Sequence, residues 1–174
     1  MKPEEPRGDL GGEAGHWSAY LDFYRAEVAA AVTGLPVEEQ RTSRGPSGWT
    51  PVELLCHLLH MERRWFVWGF LGEQVERPWG DWTVDEPWDH DEGDPAVRWQ
   101  VPDDVSAEAL VGRLEEVGAR TRTVLRDFPM EALASPGGRF ADDRPTLRWI
   151  CQHVVHEYAR HAGHLDIVVE LAGS

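Results

Sequence analysis

The sequence predicts an all-α protein, a four-helix bundle with a long tryptophan-rich, acidic loop between its second and third helices. Three observations carry this reading. Four segments of about 20 residues place apolar side chains at the helical period. Capping and breaking residues mark their ends, and strand signals are sparse.

The first helix covers roughly Gly15 to Thr33, with Trp17, Leu21, Tyr24, Val28 and Val32 on one stripe and Gly34 as its stop. The second opens at Thr50-Pro51-Val52-Glu53. There the threonine hydroxyl can accept the Glu53 amide while the glutamate caps in return, and proline at the first helical position lacks only an N–H that would have no helical partner. This helix runs to about Phe70, with Leu54, Leu58, Met61, Trp65 and Trp68 along one face. The third spans Ser106 to Arg126 on Leu110, Leu114, Val117, Thr121 and Val124, and Pro129 closes it. The fourth begins after Pro145 and continues nearly to Ser174. Residues 1–14 read as a flexible tail rich in Gly, Pro and Glu, and residues 15–174 as a single domain.

The connection from Gly72 to Val105 is long for a bundle, which marks a functional loop or a crossover. It holds Trp79, Trp82, Trp88 and Trp99 among the acids Asp81, Asp85, Glu86, Asp89, Asp91, Glu92 and Asp94. Its DHDEGD stretch is a poor calcium loop, because glycine falls at the fifth position and Gln100 replaces the closing glutamate. The expected role is a solvated acidic loop pinned over the bundle by its tryptophans.

A net charge of −14 leaves no basic surface for phosphates, which argues against nucleic acid and anionic membranes. No apolar run approaches the ~18 residues of a spanning helix. The start, MKPEEPRGDLGGEAG, has no signal-peptide core, so a cytoplasmic location is expected. Cys56 and Cys151 lie in apolar helical runs, outside any C-x-x-C pair, and read as buried thiols.

Four of the eight histidines fall within HVVHEYARHAGHLD, His153 to Asp166. At about 100° per residue from Glu157, His161 lies near +40°, His153 near −40° and His164 near −20°. Ile150 and Val168 continue that stripe at either end, so polar residues are framed by apolar ones. His156 falls about 100° away beside Arg160. On the second helix His57 borders the core stripe, with His60 one turn along. Glu157 and His161, four apart, can chelate one ion, and a histidine from a neighbouring helix would complete three corners. Two histidines and a carboxylate serve catalytic zinc and facial-triad iron sites. The alternative is a polar cluster that only stabilises the bundle, and spacing alone leaves both open.

Two blocks, GWTPVELLCHLLHMERRWF (Gly48 to Phe66) and LRWICQHVVHEYARHAGHLD (Leu147 to Asp166), resemble the DinB-like superfamily. The closest likeness is to its actinobacterial branch, related to mycothiol-dependent maleylpyruvate isomerase. The resemblance implies a four-helix bundle holding a divalent metal through His57, Glu157 and His161, with His60, His153 and His164 able to substitute or to support. Zinc is the expected ion, with nickel or iron compatible. It further implies a thiol-dependent S-transferase or isomerase in which the metal activates a low-molecular-weight thiol cosubstrate. A metal-dependent hydrolase, and a non-catalytic metal-binding or stress protein with a degenerate site, are the alternatives. The partners expected are a small-molecule substrate and, for the binding protein above all, a second copy in a homodimer.

Overall fold

The computed structural model describes residues 3–91, 93–140 and 142–173. The first two tail residues, the loop acid at Glu92 and the C-terminal Ser174 lie outside that range. Among the described residues the chain is helical, without strands. The helices are α1 (Gly12–Thr33), the short α2 (Val37–Gln40), α3 (Pro51–Arg63), α4 (Ala107–Asp127) and α5 (Leu147–Ala172). A π-helical segment, Arg64–Phe70, continues α3 without a break. α1 packs on α4 and α5, and α3 on the same two helices.

The expected capping box at Thr50 forms. Its hydroxyl accepts the Glu53 amide at 3.4 Å, and the Glu53 carboxylate accepts the Thr50 amide at 2.8 Å. Ser106 and Thr146 cap α4 and α5 with the hydroxyl alone, accepting the Ala109 and Trp149 amides. The stripes read from the sequence meet in one core of Leu21 and Val28, Leu54 and Leu58, Leu110 and Leu114, Ile150 and Leu165. Removing such a fully buried leucine side chain costs about 2–5 kcal/mol.

A carboxylate stands in the middle of that core. Glu62 is completely buried and accepts Arg25 Nε and Nη2 at 2.9 Å each, Thr121 Oγ1 at 2.5 Å and Tyr158 OH at 2.6 Å. One residue from each of α1, α4 and α5 therefore converges on α3. Gly118 of α4 makes room for this, since a Cβ there would come within 2.9 Å of the Arg25 guanidinium.

The π segment changes which residues face inward. Leu71 N bonds Phe66 O at 3.0 Å, five residues back, instead of four. The wider turn buries Arg64, Trp65 and Phe66 in succession and leaves Trp68 half-buried, where an unbroken α period puts Trp68 on the core face. π-helical turns of this kind occur often at functional sites.

Candidate metal centre

The loop between α3 and α4 is anchored by a short pairing of its two ends. Trp82 and Trp99 form an antiparallel bridge, and Gln100 N bonds Asp81 O at 2.9 Å. This pairing carries Asp81 and Trp99 to His57. Asp81 is fully buried and lies with Oδ2 2.9 Å from His57 Nδ1. Arg64, brought inward by the π segment, donates to both carboxylate oxygens, at 2.5 and 3.0 Å. Burial alone would raise the Asp81 carboxyl, but hydrogen bonds from His57 and Arg64 outweigh it and hold the pKa below the ordinary value. Asp81 is thus an anion, and His57 must present an N–H to it. The Nε2 lone pair of His57 is left available, the arrangement by which carboxylates orient metal-binding histidines.

Across from His57, α5 supplies Glu157 and His161. The three residues bring donor atoms within 4.8 Å of one another. The rings of His57 and His161 sit 5.1 Å apart, and His161 Nε2 lies 3.4 Å from Glu157 Oε2. The hydrogen bond with His161 lowers the Glu157 carboxyl pKa, with burial opposing it. Burial lowers the His57 pKa more than Asp81 raises it, so the ring is neutral at neutral pH, as a ligand must be. His161 Nδ1 is buried with no hydrogen-bond partner among the described residues. A histidine kept only for core hydrogen bonding would be satisfied at both nitrogens. The donor set is consistent with a divalent ion.

The other histidines stand apart from this cluster. His60 accepts from Arg63 at 3.2 Å through Nδ1 and lies 3.9 Å from Asp81. His153 is half-buried, stacks on Trp149 at 5.1 Å and lies tilted against Trp65 at 4.2 Å. His164 is exposed beside His161, and His156, His16 and His90 are exposed as well.

Trp99 stacks on His57 at 4.1 Å with planes 19° apart. It also lines a cavity of about 510 Å³ with Trp49, Trp82 and Glu53. A second cavity, about 190 Å³, opens directly on the cluster and is walled by His57, Glu157, Trp65, Trp88, His153 and Arg139. The 510 Å³ cavity is the larger, yet the smaller one contains the chemistry. In the sequence Asp81 is one acid among many in the loop. Arg139 gave no signal, because its place depends on a loop far away in sequence.

Fold and site define an all-α protein with a two-histidine, one-carboxylate donor cluster between two helices, the ring of one histidine fixed by a buried aspartate. The chain belongs to the mycothiol-S-transferase family, whose model it matches over residues 17–173. No curated protein and no solved structure gave a significant match. No helix among the described residues is long and apolar enough to cross a membrane.

Proposed function

We propose that this protein is a metal-dependent thiol S-transferase built on a single DinB-like four-helix bundle in the cytoplasm, using mycothiol or a related small thiol as cosubstrate. The observation that carries the reading is the convergence of His57, Glu157 and His161 on one point, with His57 held by Asp81. His57 and His161 would hold the ion through ring nitrogens and Glu157 through a carboxylate oxygen. Zinc suits this donor set first. A divalent ion bound there supplies Lewis acidity that lowers the pKa of a thiol and favours its thiolate at neutral pH.

The chain's own residues do the rest. Asp81 and Arg64 keep His57 in one tautomer and one orientation. Trp99 and Trp82 shield the His57 ring from solvent, and Trp65 and Trp88 wall the adjacent cavity. Neither cysteine can serve as the nucleophile: burial raises both thiols to about 12. The thiol must therefore come from outside the chain.

The test incubates zinc-loaded protein with a small electrophile such as 1-chloro-2,4-dinitrobenzene and a panel of thiols including mycothiol. The account expects thiol consumption well above that of His57→Ala. If no thiol is consumed faster than in that variant, while water alone cleaves an ester at the same site, the protein is a hydrolase and the proposal fails.

A further inference from the structure

Two guanidinium groups reach the 190 Å³ cavity beside the donor cluster, and their situations differ. Arg64 is buried and commits both terminal nitrogens to Asp81, so its charge is compensated within the fold. Arg139 has no carboxylate within ion-pair distance among the described residues. Its neighbours are ring faces, with Trp65 at 4.5 Å, Trp79 at 5.4 Å and Phe140 at 6.0 Å. Burial and the nearby Arg64 push its pKa down to about 10, which still leaves it charged at neutral pH.

The fold holds this cation in place. Ser135 N bonds Phe70 O at 2.8 Å, which ties the loop to the end of the π segment. Gly138 has φ +64, and a Cβ there would lie 2.2 Å from Trp68 O. Phe140 lies so close to Gly69 that a Cβ on that glycine would come within 2.7 Å of its ring. The loop cannot swing outward to hydrate Arg139 without breaking these contacts. A half-buried cation, stacked on tryptophan and facing a cavity walled by two of the proposed metal ligands, His57 and Glu157, suits a single negative charge.

We propose that Arg139 binds the carboxylate of a substrate, whose apolar body lies against Trp65 and Trp88. The planar guanidinium can pair both carboxylate oxygens at once. One uncommitted guanidinium matches one monoanion. The Glu157 charge in the same cavity is compensated when a divalent ion is bound, so it does not cancel the attraction. The inference rests on the thiol-transfer reading only in calling the bound molecule a substrate; the binding itself needs neither thiol nor turnover.

The experiment titrates full-length, zinc-loaded protein with phenylacetate and with its neutral isostere phenylacetamide, followed by tryptophan fluorescence and calorimetry. Wild type is expected to prefer the carboxylate by about tenfold, the usual scale of a hydrogen bond to a charged group. Arg139→Gln should abolish the preference, and Arg139→Lys, which keeps the charge but loses the fork, should retain part of it. Chelated protein, in which the Glu157 charge is no longer compensated, should keep a weaker preference that Arg139→Gln removes. Equal binding of the two probes, no measurable binding of phenylacetate, or a preference that survives in Arg139→Gln would overturn the proposal. A preference lost on chelation but kept in Arg139→Gln would put the carboxylate on the ion instead and overturn it too. Steady-state kinetics then assign the carboxylate, by pairing acidic and neutral electrophiles with one thiol and 3-mercaptopropionate and 2-mercaptoethanol with one electrophile. Arg139→Gln should raise KM for the acidic member of one pair only, with little change in kcat; a uniform loss of kcat in both pairs counts against it. Failure of thiol transfer would leave the binding titrations intact, so the two readings fail separately.

Discussion

Asp81 Oδ2 lies 2.9 Å from His57 Nδ1, and this contact decides which nitrogen of the ring is left for Glu157 and His161 to share a ligand with. The aspartate comes from a loop and the histidine from a helix, so the proposed metal centre depends on where the loop is placed. Asp81→Asn removes the anion that requires an N–H at Nδ1 and frees the ring to adopt the other tautomer. Affinity for zinc should fall about 10- to 100-fold, as when other supporting partners of metal-bound histidines are removed. Competition against a chromogenic chelator measures it, and unchanged affinity would remove Asp81 from the account.

Glu62 predicts a stability effect without a metal effect. It carries bonds from three other helices at complete burial, so Glu62→Ala leaves buried Arg25 with only the part-exposed Asp22 as a partner and takes the acceptor from Thr121 and Tyr158. Breaking one side of a buried ion pair costs about 3–5 kcal/mol. Replacing both partners, as in Arg25→Met with Glu62→Leu, should recover much of that loss. Urea unfolding of the single and double variants tests the coupling. A single variant as stable as wild type would mean that the network is not structural.

His60 predicts an acid sensitivity. Burial, with Arg63 and Arg64 nearby, lowers its pKa from the ordinary 6.5 to about 4. The folded ring therefore stays neutral while the unfolded one gains a proton. The contribution to stability is complete above pH 6.5 and is lost as pH falls from 6.5 toward 4. The shift corresponds to about 3 kcal/mol over that window. In chelated protein, which removes metal release from the comparison, wild type should lose more stability between pH 7.5 and 4.5 than His60→Asn does. Identical losses in the two proteins would show that His60 is not buried in its neutral form.

Much of this was legible in the sequence, and the reasons are local. The Thr50 box, the Ser106 and Thr146 starts and the apolar stripes are short-range patterns, and the stripe through Glu157 and His161 needed only the helical period. What escaped depends on distance or on a change of period. A π turn inside MERRWFVWGF has no recurring residue signature, so nothing local marks the burial of Arg64, and the α period places Trp68 on the core face. Glu62, by contrast, carries a signal in the sequence. It follows Leu54 and Leu58 at intervals of four, while Arg25 follows Leu21 by four on the opposing helix. Opposite charges on two facing apolar stripes imply a buried pair. Asp81 and Arg139 had none, since each reaches the centre through loop contacts that no spacing encodes.

Binding of an ion by two helices should stabilise the fold, because the unfolded chain has no such site. Free zinc at about 100 times its Kd would add about 2.7 kcal/mol. Strong chelation at pH 8 should therefore lower Tm in wild type and leave Glu157→Ala unchanged. An unchanged wild-type Tm after verified metal removal would contradict this.

The most direct test of the central claim is elemental analysis of untagged protein, comparing wild type with His57→Ala, Glu157→Ala, His161→Ala, His16→Ala and His90→Ala. The account predicts an equimolar divalent ion in wild type and in the His16 and His90 variants, and its loss from the other three. Equal metal content across all six proteins, or metal lost with His16 or His90 instead, would contradict it.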